Sequence, residues 1–389
     1  MKIGVIGAGR LGICFALLCE AAGYDVLVSD VREDYVQSLN ERKIVTNEPE
    51  VEVLLKGAVN FRATTDNREV VRECDLVYTL VATPSMDDGS YDVSAVWRVV
   101  EDIKQEMEEF GNKLKRFVVG CTTNPGDCEL FSNYLPSSVS VYYNPEFIAQ
   151  GSIVNDLRKA DMVLLGHDYN HPDELAIREI KKLYERIQTT RAIVCTMSLT
   201  SAEITKIAIN CFLTTKISYA NMVGDVLHQA GCGDEVDSVL GAIGTDSRIG
   251  RKYLGYGFGY GGPCLPRDNR AFAAFAKDTG LEYNLGTTTD EINNQHASYL
   301  ADYYDRMNSK KLPFYFESIT YKKGTDILTE SQQYRLCIDL LYKGHTVIIQ
   351  NDKRVIPQVE DYLTSAYPDR VKFVDVRSNI TEPYFVVKL

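Results

Sequence analysis

Three groups of residues in this sequence have types and spacings that suit chemistry. The first is Gly7-Ala8-Gly9-Arg10-Leu11-Gly12, a GxGxxG set between a short apolar run and a helical stretch. In such a turn the first glycine makes the reversal and the second lets a pyrophosphate approach the backbone. The third lets helix and strand pack closely. The helix opens at Leu11, beside Arg10, where unpaired N–H groups and the dipole favour an anion. Asp30 ends the next apolar run, 18 residues after Gly12, placed to accept bonds from ribose hydroxyls and to repel a 2′-phosphate. Arg32 stands beside it with the opposite charge. The pattern points to NAD as the cofactor.

The second group is Gly257-Phe258-Gly259-Tyr260-Gly261-Gly262-Pro263-Cys264-Leu265-Pro266-Arg267-Asp268. Its glycines allow a backbone to wrap a ligand, and its prolines stiffen the surroundings of the cysteine. A helix is predicted from about Asp268-Asn269 through Ala276. Cys264 would then sit just before a helix N-terminus, where a reactive thiolate is favoured. The other nine of the ten cysteines fall in apolar segments or lack any such loop, and they read as small hydrophobes. The third group is Lys206 and Asn210, i,i+4 neighbours among Ile204, Ile207, Ala208, Ile209 and Phe212. An ammonium and an amide in apolar surroundings suit an oxyanion or a sugar alkoxide. A solvated polar stripe fits the same residues equally well.

The elements that must carry these groups alternate. Lys2–Ile6 reads as a strand, Leu11–Ala22 as a helix and Val26–Ser29 as a strand. Leu76–Val81, Phe117–Gly120 and Val139–Tyr143 follow as strands with polar tails. This is the signature of a parallel α/β sheet whose functional groups gather at the strand ends. Thr200-Ser201-Ala202-Glu203 has a capping-box pattern, and helical periodicity then runs to about Ala230, about 45 Å at 1.5 Å per residue. Residues 245–267 are loop-rich. A second α/β pattern has strands at Phe314–Ile319, Thr346–Ile349, Phe373–Val376 and Tyr384–Val387, with helices near 330–342 and 355–366. It contains no GxGxxG, so a second dinucleotide is not expected there.

The 389 residues are 45% hydrophobic and 25% charged, enough apolar material for a sizeable core, and the formal net charge is −12. An acidic balance argues against a nucleic-acid partner. The cysteines form no CxxC, and no metal site is expected. The first residues lack a signal-peptide pattern and no apolar run reaches a membrane-spanning length, so a cytoplasmic protein without a membrane partner is expected.

Together these residues identify the chain as resembling the UDP-glucose/GDP-mannose dehydrogenase family. The resemblance runs from the GxGxxG through Ala82-Thr83-Pro84-Ser85, Thr122 to Gly126 and Asn144-Pro145-Glu146-Phe147. It continues through Ala202-Glu203, Lys206, Asn210, Asp246-Ser247-Arg248-Ile249-Gly250 and the cysteine loop to Tyr321-Lys322, Thr325-Asp326 and Glu330-Ser331. It implies two Rossmann-like domains with parallel sheets joined by a long central helix, usually as a homodimer. The division expected is 1–198 for NAD, 199–295 for dimerisation and the cysteine, and 296–389 for a UDP-sugar.

The resemblance also implies a chemistry. Cys264 would hold the C6 aldehyde of the sugar as a thiohemiacetal and then a thioester, which water hydrolyses to the carboxylate. Lys206 and Asn210 would stabilise the C6 oxygen, Asp268 and Glu146 would exchange protons, and Thr122 would place the water. Thr83, Thr122 and Arg267 would line the NAD site. Glu146, Phe147, Phe258, Gly259, Tyr260, Gly261 and Lys322 would meet the sugar nucleotide, and Arg248 its diphosphate from across a dimer. UDP-glucose is the expected substrate, with GDP-mannose, UDP-N-acetylmannosamine and UDP-N-acetylglucosamine as alternatives. A single-step β-hydroxyacid dehydrogenase and an inactive NAD-binding scaffold are the competing readings. The sequence departs from the family at Gln150, where a glutamate is usual, at Arg267, where a lysine is, and at Thr329, where an arginine is.

Overall fold

The chain begins on a strand buried on both faces, β1 (Lys2–Ile6), and among the described residues eleven more strands follow it, with every strand pairing but one parallel. The structure is a computed structural model, and it describes residues 1–110, 115–170 and 172–388. The chain divides into two compact units, Met1–Lys206 and Ile207–Leu389.

The first unit is built on a sheet of eight strands. After β1 come β2 (Asp25–Ser29), β3 (Phe61–Thr64), β4 (Leu76–Thr79), β5 (Lys115–Val119), β6 (Val139–Tyr143), β7 (Met162–His167) and β8 (Ile193–Ser198). Their spatial order is β3-β2-β1-β4-β5-β6-β7-β8, so the strand order reverses at β1. A crevice at the carboxyl ends of the strands beside such a reversal is where α/β sheets hold ligands. Side chains alternate across the sheet. Ile3, Val5 and Tyr78 enter one core with Phe15 and Tyr142, while Ile6, Val77 and Tyr143 enter the other with Phe117 and Phe131. Burial on both faces explains the near-continuous apolar runs of the central strands.

The sheet is not wholly parallel. β7 meets β6 antiparallel through Tyr143 and Gly166, and β8 continues parallel to β7. A β-carbon on Gly166 would come within 2.9 Å of the Ala202 β-carbon, so the bare backbone there admits the following helix. β8 is the edge strand, and its leading residues Ile193 and Val194 are exposed.

The helix Leu199–Gln229 begins in the first unit and carries the chain into the second. The second unit has a smaller, wholly parallel sheet of β9 (Phe314–Phe316), β10 (Val347–Gln350), β11 (Val371–Val374) and β12 (Phe385–Val386), in the order β11-β10-β9-β12. Its core joins Phe314, Phe316, Val347 and Ile349 to Leu300, Tyr304, Leu336 and Leu340 from the helices Leu285–Met307 and Gln332–Tyr342. The expected C-terminal helix is two pieces, a 3-10 turn at Ile356–Gln358 and a helix at Glu360–Ala366. Among the described residues no helix is long and apolar enough to cross a membrane.

Candidate functional site

The GxGxxG turn forms between β1 and the helix Arg10–Ala21. Gly7 has φ +96°, and a β-carbon there would press on the Leu80 carbonyl at 2.9 Å. A β-carbon on Gly12 would lie 1.9 Å from the Gly7 carbonyl oxygen, so only glycine lets the helix settle on the turn. Gly9 differs: a β-carbon there would meet nothing within 4 Å. Its backbone, at φ −64° and ψ −171°, is one any residue adopts, and no side chain caps the helix at this position. Protein packing therefore asks for glycine at two of the three positions and leaves open space over the third. A pyrophosphate fits that space and the helix N-terminus behind it.

Asp30 follows β2, but its carboxylate is already engaged. Arg32 grips it through two bonds of 2.8 and 2.9 Å, and the guanidinium also lies 4.2 Å from the Tyr35 ring centre. Burial tends to raise the Asp30 carboxyl, yet the bonds from Arg32 outweigh it and hold the group below its ordinary value. Arg10, inside the turn, donates to the Gln150 side chain at 2.9 Å. The glutamine in place of the family's glutamate thus becomes a neutral partner for an arginine. Thr83 and Thr122 are both buried, in the segments that follow β4 and β5.

Glu146 and Phe147 follow β6. The Lys206 ammonium donates to the Glu146 carbonyl oxygen at 2.8 Å and stands 4.5 Å from the centre of the Phe147 ring. The Glu146 carboxylate accepts a bond from Tyr184 on the helix Glu174–Ile187. Burial pushes the Glu146 carboxyl up to about 7, against the pull of Tyr184 and of the Lys206 charge. A carboxyl poised there gives and takes protons near neutrality.

Glu203 was expected to close a capping box on its own helix, and this expectation is corrected. The helix begins earlier, at Leu199, and Ser198 caps it through the Ser201 N–H at 3.3 Å. Glu203 turns inward and accepts from the N–H groups of Gly126 at 2.7 Å and Cys128 at 3.0 Å, and from the Thr123 hydroxyl at 2.8 Å. It therefore caps the helix Asp127–Tyr134, whose own N-cap, Gly126, has no side chain to do so. Thr123 is thereby bound to a structural task.

In the second unit, Cys264 is itself the N-cap of the helix Leu265–Asp278, which starts three residues before Asp268, where the sequence suggested, with Pro266 in the first turn. Its thiol is half-buried. Burial pushes Cys14 and Cys74 up to about 12 and Cys211 up to about 11, as befits inert core thiols. In the first turn of the same helix, Asp268 is 1% exposed and accepts from Asn210 at 2.6 Å and from Arg267 at 3.1 Å.

The glycines before Cys264 face the protein itself. A β-carbon on Gly259 would strike the Asn293 side chain at 2.2 Å, and one on Gly261 the Glu330 carbonyl at 2.2 Å. Tyr260 is buried and donates to Asp290 at 3.1 Å, while Phe258 packs against the second core. Close packing within this unit is thus enough to require those glycines. Arg248 is exposed and forms a forked pair with Asp246, at 3.0 and 2.7 Å. Lys322 is exposed, in the loop before the helix Gln332–Tyr342. Sequence reasoning passed over Tyr184 altogether; Asn144 and Glu203 stood in its motifs without a role in holding these side chains.

Comparison with known proteins agrees with this picture. Residues 1–188 match the NAD binding domain of the UDP-glucose/GDP-mannose dehydrogenase family, and residues 200–295 match its central domain. A protein of Haloferax volcanii named UDP-glucose 6-dehydrogenase AglM is 30% identical, over 94% of this chain and 88% of its own. The solved UDP-glucose dehydrogenase of Pyrobaculum islandicum is similar with a TM-score of 0.83 and 28% identity, over 96% of this chain and 86% of that one. The UDP-D-ManNAc dehydrogenase of Pyrococcus horikoshii, at 20% identity and a TM-score of 0.75, shares the fold over 99% of this chain and 98% of its own. The turn at Gly7 to Gly12, the cysteine-capped helix and these matches have one meaning: the chain belongs to the UDP-glucose/GDP-mannose dehydrogenase family and carries that family's NAD-binding domain.

Proposed function

We propose that this protein oxidises the C6 alcohol of UDP-glucose to the carboxylate of UDP-glucuronate, in two steps, through a covalent bond to Cys264. The observation that carries this reading is Cys264 at the N-cap of Leu265–Asp278, half-buried, with Asp268 held by Asn210 in the turn that follows. The names of the Haloferax and Pyrobaculum proteins favour glucose as the sugar.

Gly7, Gly9, Arg10, Leu11, Gly12 and Asp30 would hold NAD, which would supply a hydride acceptor for each oxidation. Thr83, Thr122 and Arg267 complete its surroundings. The Cys264 thiolate adds to the C6 aldehyde, and its sulfur–carbon bond turns the second oxidation into formation of a thioester. Lys206 and Asn210 donate to the oxygen on C6 while it carries negative charge. Water, placed by Thr122, attacks the thioester carbon. The carbon–sulfur bond breaks, and the thiol leaves with a proton. Glu146 and Asp268 exchange the protons of these steps. Phe147, Phe258, Gly259, Tyr260, Gly261 and Lys322 hold the sugar nucleotide, with Arg248 acting from the second copy of a homodimer. In this reading residues 1–198 serve NAD, 199–295 the cysteine and the dimer, and 296–389 the nucleotide.

The test is to incubate the protein with UDP-glucose and NAD and count NADH per sugar, beside GDP-mannose and UDP-N-acetylmannosamine. Two NADH are expected, falling to none or one with Cys264→Ser. One NADH from the unaltered protein, or two from the variant, overturns the reading.

A further inference from the structure

The Glu146 carboxyl does not end at its own hydrogen bond. Tyr184, which donates to it, is 2% exposed and lies 2.7 Å from the side-chain oxygen of Asn144. That oxygen also accepts from the Tyr78 hydroxyl at 3.2 Å. The orientation of Asn144 is fixed by chemistry, because its nitrogen faces the Leu164 carbonyl oxygen at 2.8 Å, which can only accept. The Tyr184 ring is held in turn by Phe15, 6.3 Å away between centres.

Tyr184 has one proton and two acceptors in reach, and its oxygen can also accept. When Glu146 is ionised, the Tyr184 proton belongs on the carboxylate, and Asn144 keeps the proton of Tyr78. When Glu146 is protonated, the carboxylic acid donates to the Tyr184 oxygen and the Tyr184 proton turns to Asn144. Neither state strands a buried polar group. Resting on the reading of Glu146 as a proton carrier, we infer that Tyr184 is its positioning residue. It works as a two-way hydroxyl that donates to the carboxylate and accepts from the acid, with Asn144 and Tyr78 as the reserve.

The other groups facing Glu146 do not duplicate this. Lys206 approaches from its helix as a fixed positive charge that favours only the ionised form. Cys19, on the first helix, is a thiol that burial keeps protonated, and burial likewise keeps Tyr78 and Tyr184 as neutral hydroxyls.

Tyr184→Phe removes the donor that the carboxylate needs. The acid limb of the kcat/KM profile is expected to move to higher pH by about one unit, with a smaller shift in the same direction for Tyr78→Phe. A second readout needs neither substrate nor cofactor: the carboxyl stretch that titrates near neutrality in infrared difference spectra, assigned by its loss in Glu146→Gln. That band should titrate higher in both tyrosine variants. A uniform fall in rate with the limb and the band unmoved makes Tyr184 a packing residue and overturns the inference, and an unmoved band in Tyr78→Phe does so should Tyr184→Phe not fold. If Glu146→Gln keeps both limb and band, the reading of Glu146 fails first, and the two failures are distinct.

Discussion

The Asn210 amide donates to the buried Asp268 carboxylate at 2.6 Å, across 58 positions of sequence. The bond ties the long helix to the helix that Cys264 caps, within one unit. Asp268→Ala would leave the Asn210 amide, itself 8% exposed, without this acceptor. A loss of about 2–3 kcal/mol in urea unfolding is expected, and about half that for Asp268→Asn, which keeps the shape. A variant as stable as the parent would mean the bond does not hold in solution.

The three glycines of the first turn should separate under mutation. Gly12→Ala drives a methyl into the Gly7 carbonyl oxygen and is expected to cost about 3 kcal/mol or more. Gly9→Ala meets no protein atom, so its fold should stay within about 1 kcal/mol of the parent. If the open space holds a pyrophosphate, calorimetry will show NAD bound about tenfold more weakly by Gly9→Ala, or ~1.4 kcal/mol. Undiminished binding would place the cofactor elsewhere.

Glu203 sets a pH dependence of stability. Burial pushes its carboxyl up to about 7, against the bonds it accepts. A folded value above the unfolded one means that the protonated form favours folding. Its contribution is complete below the unfolded value near 4.5 and is lost as pH rises through about 7. The full swing is about 3 kcal/mol. Melting temperature should therefore fall between pH 5.5 and 8 in the parent, and Glu203→Gln should flatten that slope while lowering stability at the acid end. Parallel slopes in the two proteins would remove Glu203 as the source.

What the sequence made legible was local. The first strand, turn and helix were predicted within a residue, Leu11–Ala22 against the observed Arg10–Ala21, because three glycines and a buried helix leave little choice. Cys264 was visible because a cysteine among glycines and prolines matches no packing pattern. β7 and β8 were missed: the antiparallel junction at Tyr143 and Gly166 breaks the alternation, and the exposed Ile193 and Val194 look like any surface strand. Glu203 was given a neighbour on its own helix, since capping patterns count residues, whereas its partners lie 75 to 80 positions away. Tyr184 sits on the buried stripe of an amphipathic helix, and nothing in its spacing separates it from Ile177, Ile180, Leu183 and Ile187 beside it.

The fork between Arg32 and Asp30 bears on which dinucleotide the protein prefers. A solitary acid at the end of β2 would turn away a ribose bearing an extra phosphate by simple repulsion. Here the acid is partnered by a guanidinium, the pair carries no net charge, and that guanidinium is the group best shaped to grip a phosphate if it swings away. Discrimination between the two nicotinamide coenzymes then depends on how firmly two neighbouring side chains hold each other.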